Sequence, residues 1–173
     1  MNQNTLVEAV AEHPVFLTRV MDAPRDLVWR AWSEAEALAK WWGPKDFPTR
    51  VEKFDFRPGG VFHYAMETPG GQMWGKFVYH DIVPPERLVF VLSFADAQGN
   101  TVRAPFSETH PLEIFSDVTF TEENGKTTIV MRGGAWNATQ AERLGYAAML
   151  ENMQEGTNGT LDQLATYLER VQA

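Results

Sequence analysis

From Thr139 to Val171 only one periodicity fits the chain. Tyr146, Leu150, Met153, Thr157, Leu161, Leu164 and Leu168 follow one another in steps of three and four, which places them on one face of a single long helix. A helix of about 30 residues is ~45 Å long at 1.5 Å per residue. Between residues 49 and 132 the apolar positions instead recur every second residue, the period of strands. A chain that spends its middle on strands and its end on one striped helix is α+β. The stripe has a weak centre, Glu155-Gly156-Thr157-Asn158-Gly159, where each glycine costs up to ~1 kcal/mol relative to alanine. A kink, or close approach of another element, is expected there.

The rest of the chain divides at its turn residues. Residues 1–12 read as a flexible N-terminal lead-in and 13–173 as one domain, without internal repeats. His13–Met21 is rich in β-branched and aromatic residues and predicts a strand. Asp22-Ala23-Pro24 then supplies a capping carboxylate and a proline suited to a first helical turn. Ser33-Glu34-Ala35-Glu36 fits a capping box for a second short helix carrying Leu38, Trp41 and Trp42, stopped by Gly43-Pro44. Strands are predicted at Thr49–Phe56, Val61–Met66, Gln72–Val83, Arg87–Phe94, Glu113–Thr121 and Lys126–Arg132. Arg87–Phe94 is apolar without a break, which predicts burial on both faces; Asn124-Gly125 is a hairpin turn signal. Residues 95–112 carry Gly99, Pro105 and Pro111 and read as a long loop of the kind that covers an opening.

Charge and composition exclude several classes of function. The 173 residues carry a net charge of −8 with no basic stripe, so nucleic acid is not an expected partner. With no cysteine there are no disulfides and no thiolate chemistry. No run approaches the ~18 apolar residues that span a bilayer, and the first 25 residues hold Glu8, Glu12, Arg19, Asp22 and Arg25 in place of an apolar leader. The expectation is a cytoplasmic protein without membrane insertion.

Two motifs are unusual: Lys40-Trp41-Trp42-Gly43-Pro44, and a dozen residues later Asp55-Phe56-Arg57-Pro58-Gly59-Gly60. Together with Ala23-Pro24, Val28-Trp29, the stretch from Gly75 to Pro84-Pro85-Glu86-Arg87-Leu88, and Leu161-Asp162-Gln163-Leu164, they carry a family resemblance over roughly residues 14–170. The chain resembles the START/Bet v 1-like superfamily, and within it the family named after the C-terminal domain of the activator of the Hsp90 ATPase. The resemblance implies a helix-grip fold. In it a curved antiparallel sheet of about seven strands wraps a long C-terminal helix, two short helices follow the first strand, and an apolar cavity lies between sheet and helix. It also implies a hydrophobic small-molecule ligand; the rival implication is an Hsp90-type chaperone as protein partner, and a homodimer is compatible with either.

No catalytic constellation stands out, and neither a metal nor a cofactor is expected. There is no Gly-X-Ser-X-Gly, and the histidines His13, His63, His80 and His110 lack metal-ligand spacing. His63 alternates with Phe62 and Tyr64 and is expected to face outward to solvent. Asp55 and Arg57 read as structural, the aspartate capping backbone amides of its turn and the arginine bracing Gly59-Gly60. An enzyme acting on an aromatic or polyketide-like substrate finds no acid/base pair to support it. The cavity candidates are Trp42, Phe62, Tyr64, Met66, Phe90, Phe94, Tyr146, Met149 and Met153, with Trp74, Tyr79, Glu113, Arg132 and Trp136 as polar handles. Of the adjacent tryptophans, one is expected to lock helix to sheet and Trp42 to border the cavity entrance.

Overall fold

Alternating large apolar residues build seven strands, and the breaks between them fall at the turn residues. The computed structural model describes residues 13–173; the expected lead-in, residues 1–12, lies outside the described residues. Strand β1 (Val15–Met21) is followed by helices α1 (Arg25–Ser33) and α2 (Ala35–Trp41). Strands β2 (Thr49–Phe54), β3 (Val61–Thr68), β4 (Gly71–Val83), β5 (Arg87–Ala95), β6 (Glu113–Glu123) and β7 (Lys126–Trp136) come next, and α3 (Gln140–Gln172) ends the chain. The sheet order is β1-β7-β6-β5-β4-β3-β2, every neighbouring pair antiparallel, so the first strand docks on the last. This is the α+β helix-grip architecture that the periodicities and the resemblance predict.

Register assigns each residue a face. Phe62↔Phe77, Phe77↔Leu92, Phe90↔Ser116 and Val118↔Met131 are cross-strand partners, so their side chains share the concave face beneath α3. Residues between them point to the convex face. There Val89, Val91 and Phe115 form a second small core with Trp136, and this is why β5 is apolar on both faces.

The helix starts differ from expectation. The N-cap of α1 is Pro24 and that of α2 is Glu34; neither side chain caps, so Asp22 is not a cap and Ser33–Glu36 is not a capping box. What holds the pair in place is burial of Val28, Trp29, Trp32, Leu38 and Trp41, since packing contributes more to helix stability than a cap does. The working capping box lies on α3. The Glu142 N–H donates to Thr139 Oγ1 at 3.1 Å, and the Thr139 N–H donates back to Glu142 Oε1 at 3.4 Å.

Helix α3 is continuous through Gly156 and Gly159, so the helix is not interrupted there. An added Cβ would meet nothing within 4 Å at either glycine, and close approach does not explain them. Burial along the helix is uneven instead. Thr160, Leu161, Leu164 and Leu168 are buried, while Tyr146, Met149, Leu150, Met153 and Thr157 are half-buried. The C-terminal half packs on the part of the concave face that α1 and α2 also cover, where Phe62, Tyr79, Leu88 and Phe120 are almost fully buried. The N-terminal half bridges the remaining part of that face without filling it.

Candidate functional site

The unfilled part of the concave face is an apolar cavity of about 330 Å³. Its floor is the sheet: Tyr64 and Met66 from β3, Phe90, Leu92 and Phe94 from β5, Ile114 and Ser116 from β6, and Met131 from β7. Its roof is α3, through Tyr146, Met153, Gly156, Thr157 and Thr160. Phe16 of β1, the Trp42-Gly43-Pro44 segment, and Phe106 and His110 of the 96–112 loop complete the wall. A second cavity of about 120 Å³ shares Tyr64, Leu92, Phe94, Ile114 and His110 with the first.

The tryptophan pair is positioned by a backbone turn. Gly43 has φ of +100°, a conformation open to glycine and strained for other residues. Just before it the helix ends at Trp41 and Trp42 is extended, with φ of −73° and ψ of 134°, so the two indoles go to different places. Trp41 is fully buried and its Nε1–H donates to the Ala31 carbonyl at 2.9 Å, which ties α2 to α1. Trp42 stays half-buried on the cavity wall, its ring edge-on to Phe77 at 4.9 Å and to Tyr64 at 6.2 Å. Helix α3 binds the turn itself: Gln163 Nε2 donates to the Gly43 carbonyl, and Thr160 Oγ1 donates to the same oxygen at 3.3 Å.

The 96–112 loop is held against the start of α3. Glu142 Oε2 accepts from the Leu112 N–H at 2.9 Å and lies 3.3 Å from Arg103 Nη1, which also donates to the His110 carbonyl at 3.0 Å. The Leu112 amide is the main reason the Glu142 carboxyl is held below the usual range, with Thr139 and Arg103 adding to it. Gly145 lets the loop approach this closely, because a Cβ there would collide with the Thr109 carbonyl. The loop thereby delivers Phe106 and His110 to the cavity, their rings 5.5 Å apart and each within 5.6 Å of Phe94.

The cavity carries little charge. Burial pushes the Tyr64 phenol up to about 12 and raises that of Tyr146, so both are neutral at pH 7. Burial, and after it the charge of Arg103, lowers the pKa of His110, so this imidazole is neutral as well. Among the described residues no group of three or more His, Cys, Asp or Glu is arranged to hold a metal ion. No described helix is long and apolar enough to cross a membrane.

Of the residues singled out from sequence, Trp42, Tyr64, Met66, Phe90, Phe94, Arg132, Tyr146 and Met153 line the main cavity. The others lie elsewhere. Phe62 and Tyr79 share the concave parity but sit in the packed part, Tyr79 against Phe56 at 5.0 Å. Met149 is half-buried on α3 and outside the lining. Trp74 has convex parity, stacks on His63 at 4.9 Å beneath the Arg50 guanidinium, and reaches only the smaller cavity. Glu113 and Trp136 pair with each other in the register that carries Phe115, on the convex side. Arg132 stands opposite Asp117 on the convex parity, and its exposed guanidinium donates to the His13 carbonyl at 3.5 Å, so it borders the cavity without serving as a polar handle in it. Position near a strand end suggested these handles; parity decides which face they occupy.

His63 does take the outward parity, but it is not at the surface. It is 5% exposed, with Nε2 2.9 Å from the Asp96 carbonyl, because the turn after β5 folds over it. Asp55 uses its carboxylate for Arg57, whose Nε lies 2.8 Å from Oδ2, rather than for backbone amides of the turn. The reading of the sequence missed Phe16, Phe106, His110, Ser116 and Met131. For Ser116 and Met131, parity with Phe90 and Val118 is a sufficient signal. Phe106 and His110 sit on a loop with no period to read.

A family model described as "Activator of Hsp90 ATPase homolog 1-like protein" matches residues 22–169. The chain is similar to protein Ms6760 of Mycobacterium smegmatis, at 27% identity over 87% of each chain and a TM-score of 0.71. It is also similar to a protein of Arthrobacter aurescens solved in solution, at 26% identity over 88% of this chain and 84% of that one, with a TM-score of 0.72. The AHSA1 protein of Silicibacter pomeroyi shares the fold, at 17% identity over 88% of this chain and 95% of that one, with a TM-score of 0.65. No curated protein matches the chain.

Proposed function

Because the chain belongs to the Activator of Hsp90 ATPase homolog 1-like family, whose fold leaves room between sheet and helix, we propose that it binds a hydrophobic small molecule in that space. The observation that carries this reading is the 330 Å³ apolar cavity beneath a helix that is well packed elsewhere. Protein interiors are ordinarily close-packed, and empty apolar volume costs cohesive contacts. Ligand pockets begin at about 300 Å³, and an apolar void half that size already admits benzene. Beyond Tyr146 the helix places small or adaptable residues over the cavity, Gly156 and Thr157 beside Met153, and they leave the volume open rather than closing it. A cytoplasmic location is part of the same proposal, and the reading is compatible with a homodimer.

Titration with N-phenyl-1-naphthylamine, a neutral apolar fluorophore, tests the reading. Saturable binding is expected, altered at least several-fold by Phe90→Ala or Tyr146→Ala in protein that retains its circular dichroism. Native mass spectrometry of the purified chain would report a retained ligand and the number of subunits. No probe binding, together with stimulation of an Hsp90 ATPase, would replace the ligand reading with a partner-docking one.

A further inference from the structure

We propose that His110 is the polar anchor of the cavity, and that the molecule taken up is an aromatic or polycyclic compound bearing a neutral hydroxyl that hydrogen-bonds this imidazole. The inference rests on the ligand-binding reading above and adds the chemical class of the ligand. Three buried side-chain atoms among the described residues lack a hydrogen-bond partner: Trp32 Nε1, Tyr79 Oη and His110 Nδ1. Trp32 and Tyr79 lie outside the cavity lining; the His110 ring, 6% exposed, lies on the wall that the two cavities share, with Nδ1 itself covered, so a ligand reaches this nitrogen when the ring turns about its Cβ–Cγ bond. A buried polar group without a partner is costly, and of the three only His110 lies where a molecule in the cavity can supply the missing bond.

The imidazole is also held in place. The His110 N–H donates to Ser107 Oγ at 3.1 Å and its carbonyl accepts from Arg103 at 3.0 Å, while Arg103 is itself paired with Glu142 on α3. Phe94 and Phe106 flank the ring at 5.6 and 5.5 Å. A neutral imidazole offers one N–H and one lone pair, which a hydroxyl can satisfy as acceptor or as donor. A carboxylate fits less well. It would bring charge into an apolar space where the neighbouring guanidinium is already committed to Glu142. The aromatic flanks, with Leu92 and Ile114 beyond them, suit a flat ring body.

Competition of 2-naphthol and of naphthalene against bound N-phenyl-1-naphthylamine at pH 7 tests this with the full chain. Wild-type protein is expected to bind naphthol about tenfold more tightly than naphthalene, the factor one net hydrogen bond supplies. His110→Phe should retain naphthalene and lose the preference. Equal affinities in wild type, or a preference that survives in His110→Phe, would overturn the anchor while leaving the cavity reading intact. Failure of all three compounds to bind would overturn both. Should His110→Phe not fold, the wild-type imidazole ¹⁵N resonances decide: naphthol must move those of His110 and naphthalene must not, and movement by neither ends the proposal.

Discussion

Adjacent residues of the same type meet opposite fates in this chain. Trp41 is wholly buried and donates its indole N–H to Ala31, whereas Trp42, one residue on and past the end of α2, keeps part of its ring on the cavity wall. The Trp-Trp-Gly-Pro motif makes both roles legible in sequence as a pair, and the end of the helix at Trp41, with Trp42 in an extended conformation, sends the two rings apart. For histidine the sequence carries less. His110 reads as an unremarkable loop residue, and only its placement reveals an unpaired imidazole in an apolar setting. Its pKa is lowered by burial and then by Arg103, and that of His80 is lowered chiefly by burial. Both therefore sit below their unfolded value of 6.5. Between the folded and unfolded values the unfolded chain binds more protons, so stability must fall as pH drops below about 6.5. Urea denaturation between pH 8 and pH 5 should show this loss, and His110→Phe should reduce it. A flat profile would contradict the burial assigned to these rings. Glu142 acts lower on the scale: its depressed pKa contributes stability that disappears below 4.5, as the carboxylate that binds Leu112 and Thr139 is protonated.

At the scale of elements, α3 is two helices in one. Its C-terminal half is a packing helix and its N-terminal half is a roof. The stripe from Tyr146 to Leu168 gave no sign of this division, because periodicity reports which face is apolar and not how closely that face is met. The glycines record it. At Gly156 an added Cβ meets nothing within 4 Å, so Gly156→Ala should stabilise the protein by roughly 0.5–1 kcal/mol through helix propensity alone. At Gly145 the Cβ would strike the Thr109 carbonyl, so Gly145→Ala should destabilise and should loosen the 96–112 loop from the helix. Urea midpoints compare the two variants, and hydrogen exchange of the Leu112 amide, which Glu142 accepts, reads the loop directly. A stabilising Gly145→Ala would show that the loop does not rest on this face. The short helices teach a related lesson. Caps predicted at Asp22 and Ser33 are unused, since Trp29, Trp32, Leu38 and Trp41 fix α1 and α2 by burial, and a cap contributes only about 1 kcal/mol against that.

For the whole molecule, curvature and partial filling matter together. The sheet closes on a packed core where α1, α2 and the end of α3 converge, and it stays hollow where the start of α3 and the 96–112 loop cover it. A ligand that enters this hollow binds the folded state alone, so N-phenyl-1-naphthylamine at a hundred times its Kd should add about 2.7 kcal/mol and raise Tm by roughly 5–10 °C. Differential scanning calorimetry measures the shift; saturable binding with no gain in Tm would place the probe outside the folded interior. Strand and helix periods, turn residues and the Trp-Trp-Gly-Pro and Asp55–Gly60 motifs were enough to determine the α+β class, the order of elements and the family, because these are local properties of adjacent residues. The sequence also determined the alternation along most strands, and so most of the sheet side of the cavity, while the register shifts in β1, β2 and β4 are set by pairing. It did not determine which concave residues are packed and which are left bare: Tyr79 and Tyr64 are the same residue type on the same face, one in the core and the other on the cavity wall. That distinction, and the arrival of His110 and Phe106 in the wall, depends on how far α3 stands from the sheet and where an aperiodic loop comes to rest. Both are set by contacts between segments distant in sequence, and only the tertiary structure decides them.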